Sequence, residues 1–373
     1  MAPRVWLVTA SIYVLENIWG FYARGDLDGV EKIIVVDEGD EITRRKSLEM
    51  LKGLDIEFHG PREREGFFRS RYGSSHERYL SLVPERSHAE TSYGFMLAYE
   101  AGADYVIEID DDVYPENGYS LVRDHIASLN PSPGKYVESP GRWINTVDLL
   151  ILDPQIDLYP RGHPYDPSTR VRNYRYRDAE GSCVLNMGLW TGHPDLDALT
   201  ILYLGGIDGR APVSSIGVRE KRVIPEAGNY FSVCSMNTSF SNKIIPAFYQ
   251  LYMRYMGIDR FDDIWSGIFV KRIADRVGDK LCIGSPAARH MKRPRSTWKD
   301  LRAELEGMII NEILWKIVDQ VDIYSKNYAD AYLELADGIE KRIGEFRDDN
   351  HRKFIETQVS KMRIWVEALD KIG

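Results

Sequence analysis

The sequence predicts an α/β fold in which a mostly parallel, Rossmann-like sheet is flanked by helices and followed by a helical subdomain. Three observations predict it. Short apolar β-branched runs alternate with helical patterns through the first third of the chain, Thr, Ser and Asp residues fall directly after those runs, and beyond Thr297 the pattern changes to long Pro-free amphipathic segments. Strands that alternate with helices pair in parallel through crossovers and bury both faces of their sheet.

The first run, VWLV (Val5 to Val8), reads as a buried strand. The surrounding MAPRVWLVTASIYVLENIWG has one Arg and no small-residue cleavage pattern, and Glu16 soon interrupts it. KIIVV (Lys32 to Val36), DIEF (Asp55 to Phe58) and YVIEI (Tyr105 to Ile109) read as the next strands, with helical spacing over Glu41 to Lys52 and Glu90 to Glu100 between them. Gly60 to Arg86 is rich in Arg and aromatics but weakly periodic. It is expected to be a solvated loop, with a phosphate-facing lid carrying Arg62, Arg64, Arg69 and Arg71 as the alternative. Asn130 to Gly228 holds many Pro, Gly and Tyr residues and suggests loops and small strands that build a site on the edge of the sheet. A helix is expected over Arg260 to Val277 and a strand over Lys280 to Ile283. The amphipathic segments from Thr297 onward divide the chain into a catalytic domain, residues 1–296, and a helical subdomain, residues 297–373. Their apolar stripes pack on the chain's own core or, in the alternative, in a homo-oligomer.

The 373 residues are 43% hydrophobic and 28% charged, enough for a large core, and the net charge is -9. An acidic chain lacks the basic footprint of a nucleic-acid binder. The three cysteines, Cys183, Cys234 and Cys282, are far apart, which excludes a CxxC pair and fits a reducing compartment. No segment approaches the roughly 18 to 20 apolar residues of a membrane helix, and a cytoplasmic location is expected.

In such sheets ligands bind beyond the carboxyl ends of the strands, where Thr9, Asp37 and the triplet Asp110, Asp111 and Asp112 all fall. Three like charges need a cation, and Mg²⁺ or Mn²⁺ is commonly held by one or two carboxylates together with substrate phosphates. Asp110 and Asp112 are thus candidate metal ligands, against a solvated acidic turn. Asp37 is placed to bind a base or ribose, or to cap the next helix. His290 and Lys292, in ARHMKRPRS, offer a metal-capable imidazole and a phosphate-seeking ammonium. Asp262 and Asp263 either complement a helix dipole or, pointed into the crevice, bind sugar hydroxyls or act as a base. Trp190 with Asp195 and Asp197 in GLWTGHPDLDA, and Asn237 in CSMNTSF, suit sugar binding, while core packing and a buried turn are their structural alternatives.

The motifs IDDDV, RGHPY, NMGLWTGHPDLDA, CSMNTSF, RFDDIWSGIFVKRIADRVG and YLELADGIEKRIG run in order along the whole chain. Together they resemble the reversibly glycosylated polypeptides, whose plant members are UDP-arabinopyranose mutases. The resemblance implies a GT-A nucleotide-sugar fold, a UDP-sugar ligand, a divalent metal on the D-x-D, and interconversion of pyranose and furanose forms with reversible self-glycosylation on an arginine. That arginine matches Arg161, and His163 stands where the family has an aromatic. The second family arginine matches Arg170 or Arg172. Three functions follow: the mutase, a metal-dependent transferase to an external acceptor, and a non-catalytic sugar-nucleotide-binding subunit.

Overall fold

The computed structural model describes residues 2–373. In chain order the strands are β1 (Val5–Ser11), β2 (Val30–Asp37), β3 (Ile56–His59), β4 (Tyr105–Ile109), β5 (Val113–Pro115), β6 (Ser132–Glu138), β7 (Leu150–Asp153), β8 (Arg175–Gly181), β9 (Leu185–Gly192), β10 (Ser214–Val218), β11 (Arg222–Pro225), β12 (Asn237–Ser241) and β13 (Leu281–His290). The helices are α1 (Glu16–Ala23), α2 (Glu41–Met50), α3 (Pro61–Tyr72), α4 (His76–Leu80), α5 (Thr91–Glu100), α6 (Leu121–Leu129), α7 (Ala198–Tyr203), α8 (Asp262–Val277), α9 (Thr297–Gln320), α10 (Tyr328–Glu340) and α11 (Asp349–Asp370).

One mixed sheet organises the chain in the order β3-β2-β1-β4-β12-β9-β13-β11-β6-β8. The expected strands β3, β2, β1 and β4 run parallel. β12 is antiparallel to both β4 and β9, and β9 then runs parallel to β13. This is the α/β layout the sequence predicts. The chain leaves β2 and β4 on opposite sides of β1, and such a reversal opens a crevice at the carboxyl ends of the strands.

Two expectations change. Gly60 to Arg86 is not a loop: Pro61 opens α3, and Arg64 lies buried against Glu38 and Glu90 (3.5 Å). Pro is well suited to the first helical turn, and the buried Arg64 broke the apolar periodicity that would have marked a helix. The arginines read as a lid are mostly tied down, with Arg69 on Glu65 and Arg71 on Glu100. The middle segment does not stay on the edge either, because β9 is an interior strand between β12 and β13.

The helices α9, α10 and α11 contribute Ile310, Leu335 and Trp365 to the same buried cluster as Val8 of β1 and Leu189 of β9. Trp365 donates its indole N–H to the Ile245 carbonyl at 3.0 Å, which anchors α11 to the short helical turn that follows β12. Full burial of an aliphatic or aromatic side chain is worth about 1.5–3 kcal/mol, so these stripes hold the helices against the body. No helix among the described residues is long and apolar enough to cross a membrane.

Candidate active site

Strand register brings the chemistry together. His290, at the end of β13, pairs with Gly192 of β9 on one side and with Val113 of β5 on the other. This places the Asp110 to Asp112 turn beside the loop that carries Asp195. Gly192 has φ +79°, and a Cβ there would meet the His290 carbonyl oxygen at 2.4 Å, so glycine is required. The start of α8 and the Ser87–His88 loop close the space into a cavity of about 280 Å³, lined by Asp110, Asp112, Arg161, Asp195, Asp262, Asp263, His290 and Lys292 among others.

Arg161 is buried between two carboxylates. Its Nε and Nη2 donate to Asp195 at 3.2 and 3.0 Å, while Nη1 and Nη2 donate to Asp263 at 3.3 and 3.1 Å. Nη1 also donates to the Arg260 carbonyl. All five guanidinium N–H groups are thus engaged. Gly162 (φ +84°) makes the approach possible, because a Cβ there would meet Ile264 of α8 at 2.6 Å. The carboxylates differ. At Asp195 burial would raise the pKa, but the charge and hydrogen bonds of Arg161 overrule it and hold the carboxyl well below the usual range. At Asp263 burial wins over Arg161, and the neighbouring Asp262 adds to the rise.

Lys292 lines the same cavity and is only 6% exposed. Among the described residues no side chain or carbonyl accepts a hydrogen bond from its ammonium, and no carboxylate lies within ion-pair distance. Burial, then the charge of Arg260, pull its pKa down to about 8. A desolvated, unpaired cation facing a cavity suits an anionic ligand.

His290 Nδ1 donates to the His193 carbonyl at 2.6 Å, which leaves Nε2 directed at Asp112 Oδ2, 3.8 Å away. A backbone carbonyl on one ring nitrogen is the arrangement that orients a metal-binding imidazole. Asp110 turns toward His88, whose Nε2 is 3.5 Å from Asp110 Oδ1. Among the described residues no group of three or more His, Cys, Asp or Glu side chains is arranged to hold a metal. Asp111 is occupied elsewhere: Ser11 Oγ donates to Oδ2 at 2.7 Å, and Arg293 Nη1 to Oδ1 at 2.5 Å.

Several sequence-predicted residues lie outside the cavity. Trp190, 1% exposed, is part of the core. Asn237 donates to the Leu189 and Pro286 carbonyls at 3.0 and 2.9 Å and accepts from His125 Nε2 at 2.9 Å, a closed buried network. Asp197 caps α7 through Thr200 N–H (2.8 Å) and accepts from the Tyr165 hydroxyl at 3.0 Å. Asp37 accepts from Gly39 N–H at 2.7 Å, while the helix cap of α2 is Asp40. Thr9 is buried in β1 with its hydroxyl unpaired. Arg170 stacks on Tyr159 and Tyr165 at 4.4 and 4.1 Å, and Arg172 pairs with Asp148 at 3.2 Å, so neither reaches the cavity. His163 is buried edge-on against Trp143, and burial drags its pKa down to about 3. A neutral imidazole fills the place of the family's aromatic.

The structure adds residues that sequence reasoning missed. His88 donates to Asp262 at 2.7 Å. Burial lowers its pKa, but Asp262 and Asp110 outweigh that and carry it well above the ordinary value. Arg260 adopts φ +69°, which turns its carbonyl to Arg161, and its Nε donates to the buried Glu304 at 2.5 Å. Arg86 (φ +56°) and Arg254 (φ +66°) also line the cavity in the left-handed region, uncommon for arginine. Asn311 of α9 donates to the Gly162 carbonyl at 2.9 Å and accepts from Trp265 at 3.0 Å, linking the C-terminal helices to the Arg161 loop. The local text carried no signal for these partners, which come from distant elements.

A family model for reversibly glycosylated polypeptides matches residues 32–373. Curated relatives include a probable UDP-arabinopyranose mutase 1 from Pisum sativum, 26% identical over 91% of this chain and 84% of its own, and UDP-arabinopyranose mutase 1 from Arabidopsis thaliana, 24% identical over 91% and 86%. Among solved structures, glucosyl-3-phosphoglycerate synthase from Mycobacterium tuberculosis, in complex with Mn²⁺, UDP-glucose and phosphoglyceric acid, is similar with a TM-score of 0.40 and 14% identity over 84% of this chain and 79% of that one. With the family model spanning residues 32–373, all of the chain from β2 onward, this protein belongs to the reversibly glycosylated polypeptide family.

Proposed function

We propose that this chain is a UDP-sugar mutase that interconverts the pyranose and furanose forms of a UDP-arabinose-like nucleotide sugar, with reversible self-glycosylation on Arg161. Its relatives' names support the reaction class. The observation that carries the residue assignment is Arg161 clamped by Asp195 and Asp263 in the cavity that also holds the unpaired Lys292.

Ring interconversion requires that the anomeric carbon leave UDP and be held by a group that permits ring opening. Lys292 binds the diphosphate and neutralises charge on it. Asp263 takes a proton from Arg161, whose nitrogen then bonds to C1 as the C1–O bond to the diphosphate breaks and the electron pair leaves with UDP. Asp263 gives the proton it holds to the ring oxygen and takes the remaining N–H proton, so the nitrogen lone pair forms a C1=N bond as the C1–O ring bond breaks. Closure through the other hydroxyl returns the proton, and the diphosphate reverses the first step. Asp110, Asp112 and His290 would hold Mn²⁺ or Mg²⁺, and that ion when bound supplies charge stabilisation at the diphosphate.

One observation favours a second reading, transfer of the sugar to an external acceptor. Every N–H of Arg161 is already engaged, so in this conformation it is a structural cation. The test is incubation with radiolabelled UDP-arabinose, with and without Mn²⁺, scoring label on the protein and the ring form of the recovered nucleotide sugar. Label mapped to Arg161 and chased off by UDP, together with furanose product, supports the mutase. Ring conversion that survives Arg161→Ala would overturn the covalent role, and transfer only to added acceptor would favour the second reading.

A further inference from the structure

At the opposite ends of β9 and β13 from the catalytic cavity, a second cluster joins Cys183, Cys282 and Arg222. Arg222 is buried, and its donors go to carbonyls: Nε and Nη2 to Ser128 at 3.1 and 3.0 Å, Nη1 to Ser132 at 2.7 Å, and Nη2 to Gly181 at 2.7 Å. No carboxylate among the described residues lies within ion-pair distance of it. Its only other hydrogen bond among the described residues runs from Nη2 to Cys183 Sγ, at 3.2 Å. A desolvated guanidinium needs an anion, and the one adjacent side chain able to become one is this thiol.

Cys282 completes the arrangement. It packs with Cys183 in one small buried cluster that also holds Leu129 and Ile224. Cys282 Sγ donates to the Ser128 carbonyl at 3.4 Å, the same oxygen that Arg222 uses. A surface depression of about 510 Å³ is lined by Ser128, Ser132, Lys221 and Arg222, so the Arg222 side of the cluster borders solvent.

We propose that Cys183, hydrogen-bonded by the buried Arg222, is a site of reversible oxidation by hydroperoxides, with Cys282 as its resolving partner. The Cys183 sulfur attacks the terminal peroxide oxygen, the O–O bond breaks, and hydroxide or alkoxide leaves to be protonated by water, giving a sulfenic acid. Cys282 then gives up its proton, attacks the Cys183 sulfur and expels the oxygen as water. The disulfide forms at the cost of the peroxide's two-electron reduction.

The electrostatics agree with the division of roles. Burial would raise Cys183, but the neighbouring Cys282 and the charges of Arg222 and Lys280 bring it below the ordinary thiol value. Cys282 goes the other way, pushed up by burial and then by Cys183. Cys234 serves as an internal control. It lines the catalytic cavity, yet burial and the carboxylates of Asp195 and Asp263 push it up.

The test is made on the intact chain at neutral pH with hydrogen peroxide, followed by alkylation and peptide mapping. A Cys183–Cys282 disulfide is expected in the wild type, and a dimedone-trappable sulfenic acid at Cys183 in Cys282→Ser. Iodoacetamide should modify Cys183 at least 10-fold faster than Cys234 at pH 6.5. Alkylation of Cys234 first, peroxide treatment that leaves Cys183 and Cys282 reduced, or a Cys183 alkylation rate that rises only through the ordinary thiol range would each overturn the proposal. The pH profile is read on the native wild type, so it decides the matter even if Cys282→Ser does not fold.

Discussion

Arg161 and Asp263 face each other as a buried bidentate pair, with Nη1 3.3 Å from Oδ1 and Nη2 3.1 Å from Oδ2. Asp195 grips the same guanidinium from Nε and Nη2. Burial disfavours the charge on Arg161, yet Asp195 and Asp263 reverse this and hold its pKa well above the ordinary value. It is therefore no nucleophile until one pairing is given up and a proton moves. Asp263 is the better acceptor, since its carboxyl lies higher than that of Asp195.

This separates the two carboxylates experimentally. Asp263→Asn should lower kcat for ring interconversion by about 10²- to 10⁴-fold, the usual weight of a general base, with KM little changed. Asp195→Asn keeps the acceptor and should act mainly on folding and KM. Equal kcat losses in both variants would refute the division. Arg161→Lys keeps a charge but not the two-sided fork, and should abolish labelling of the protein.

Lys292→Met should trade stability against binding. The ammonium is buried without a partner, so its removal should raise the unfolding free energy by about 1–3 kcal/mol. UDP affinity measured by calorimetry should fall at least 10-fold. A variant that is less stable and binds UDP normally would show that Lys292 serves the fold.

Asn237→Ala should be a folding defect and nothing more. Its amide closes contacts to His125, Leu189 and Pro286, so the loss should be about 3 kcal/mol from orphaned buried groups. The Kd for UDP should stay within twofold of wild type. A large loss of affinity in a folded variant would restore the sugar-contact reading.

Stability should decline in acid before most carboxylates titrate. Burial depresses His125 to about 4 and His163 to about 3, so in the fold both stay neutral where the unfolded chain, with histidine near 6.5, is protonated. The unfolded state then binds more protons, and stability present above pH 6.5 is lost as pH falls toward 4. At roughly 1.4 kcal/mol per pKa unit, the shift of His125 corresponds to about 3.5 kcal/mol and that of His163 to about 5 kcal/mol. Urea unfolding of His163→Phe, which supplies the family's aromatic, should show a shallower slope between pH 6.5 and 4. An unchanged slope would refute the assignment.

By itself the sequence determined what local pattern and ordered motifs can carry. These are the strands β1 to β4 with the polar residues at their ends, the amphipathic helices α9 to α11, the first turn of α8, and the family to which the chain belongs. Period, propensity and motif order are properties of neighbouring residues, so they survive without coordinates. Only the tertiary structure decided which polar residues line the cavity and which serve packing. Asp195 and Asp197 stand two apart in GLWTGHPDLDA, yet one clamps Arg161 and the other caps α7. Asn237 and Trp190 sit in the core, whereas the unremarked His88 and Arg260 line the cavity. Burial and pairing are set by segments far apart in sequence: Asp263 meets Arg161 across 102 residues, and Glu304 of α9 reaches back 44 residues to Arg260. A side chain's charge and accessibility follow from those partners, and no local pattern encodes them.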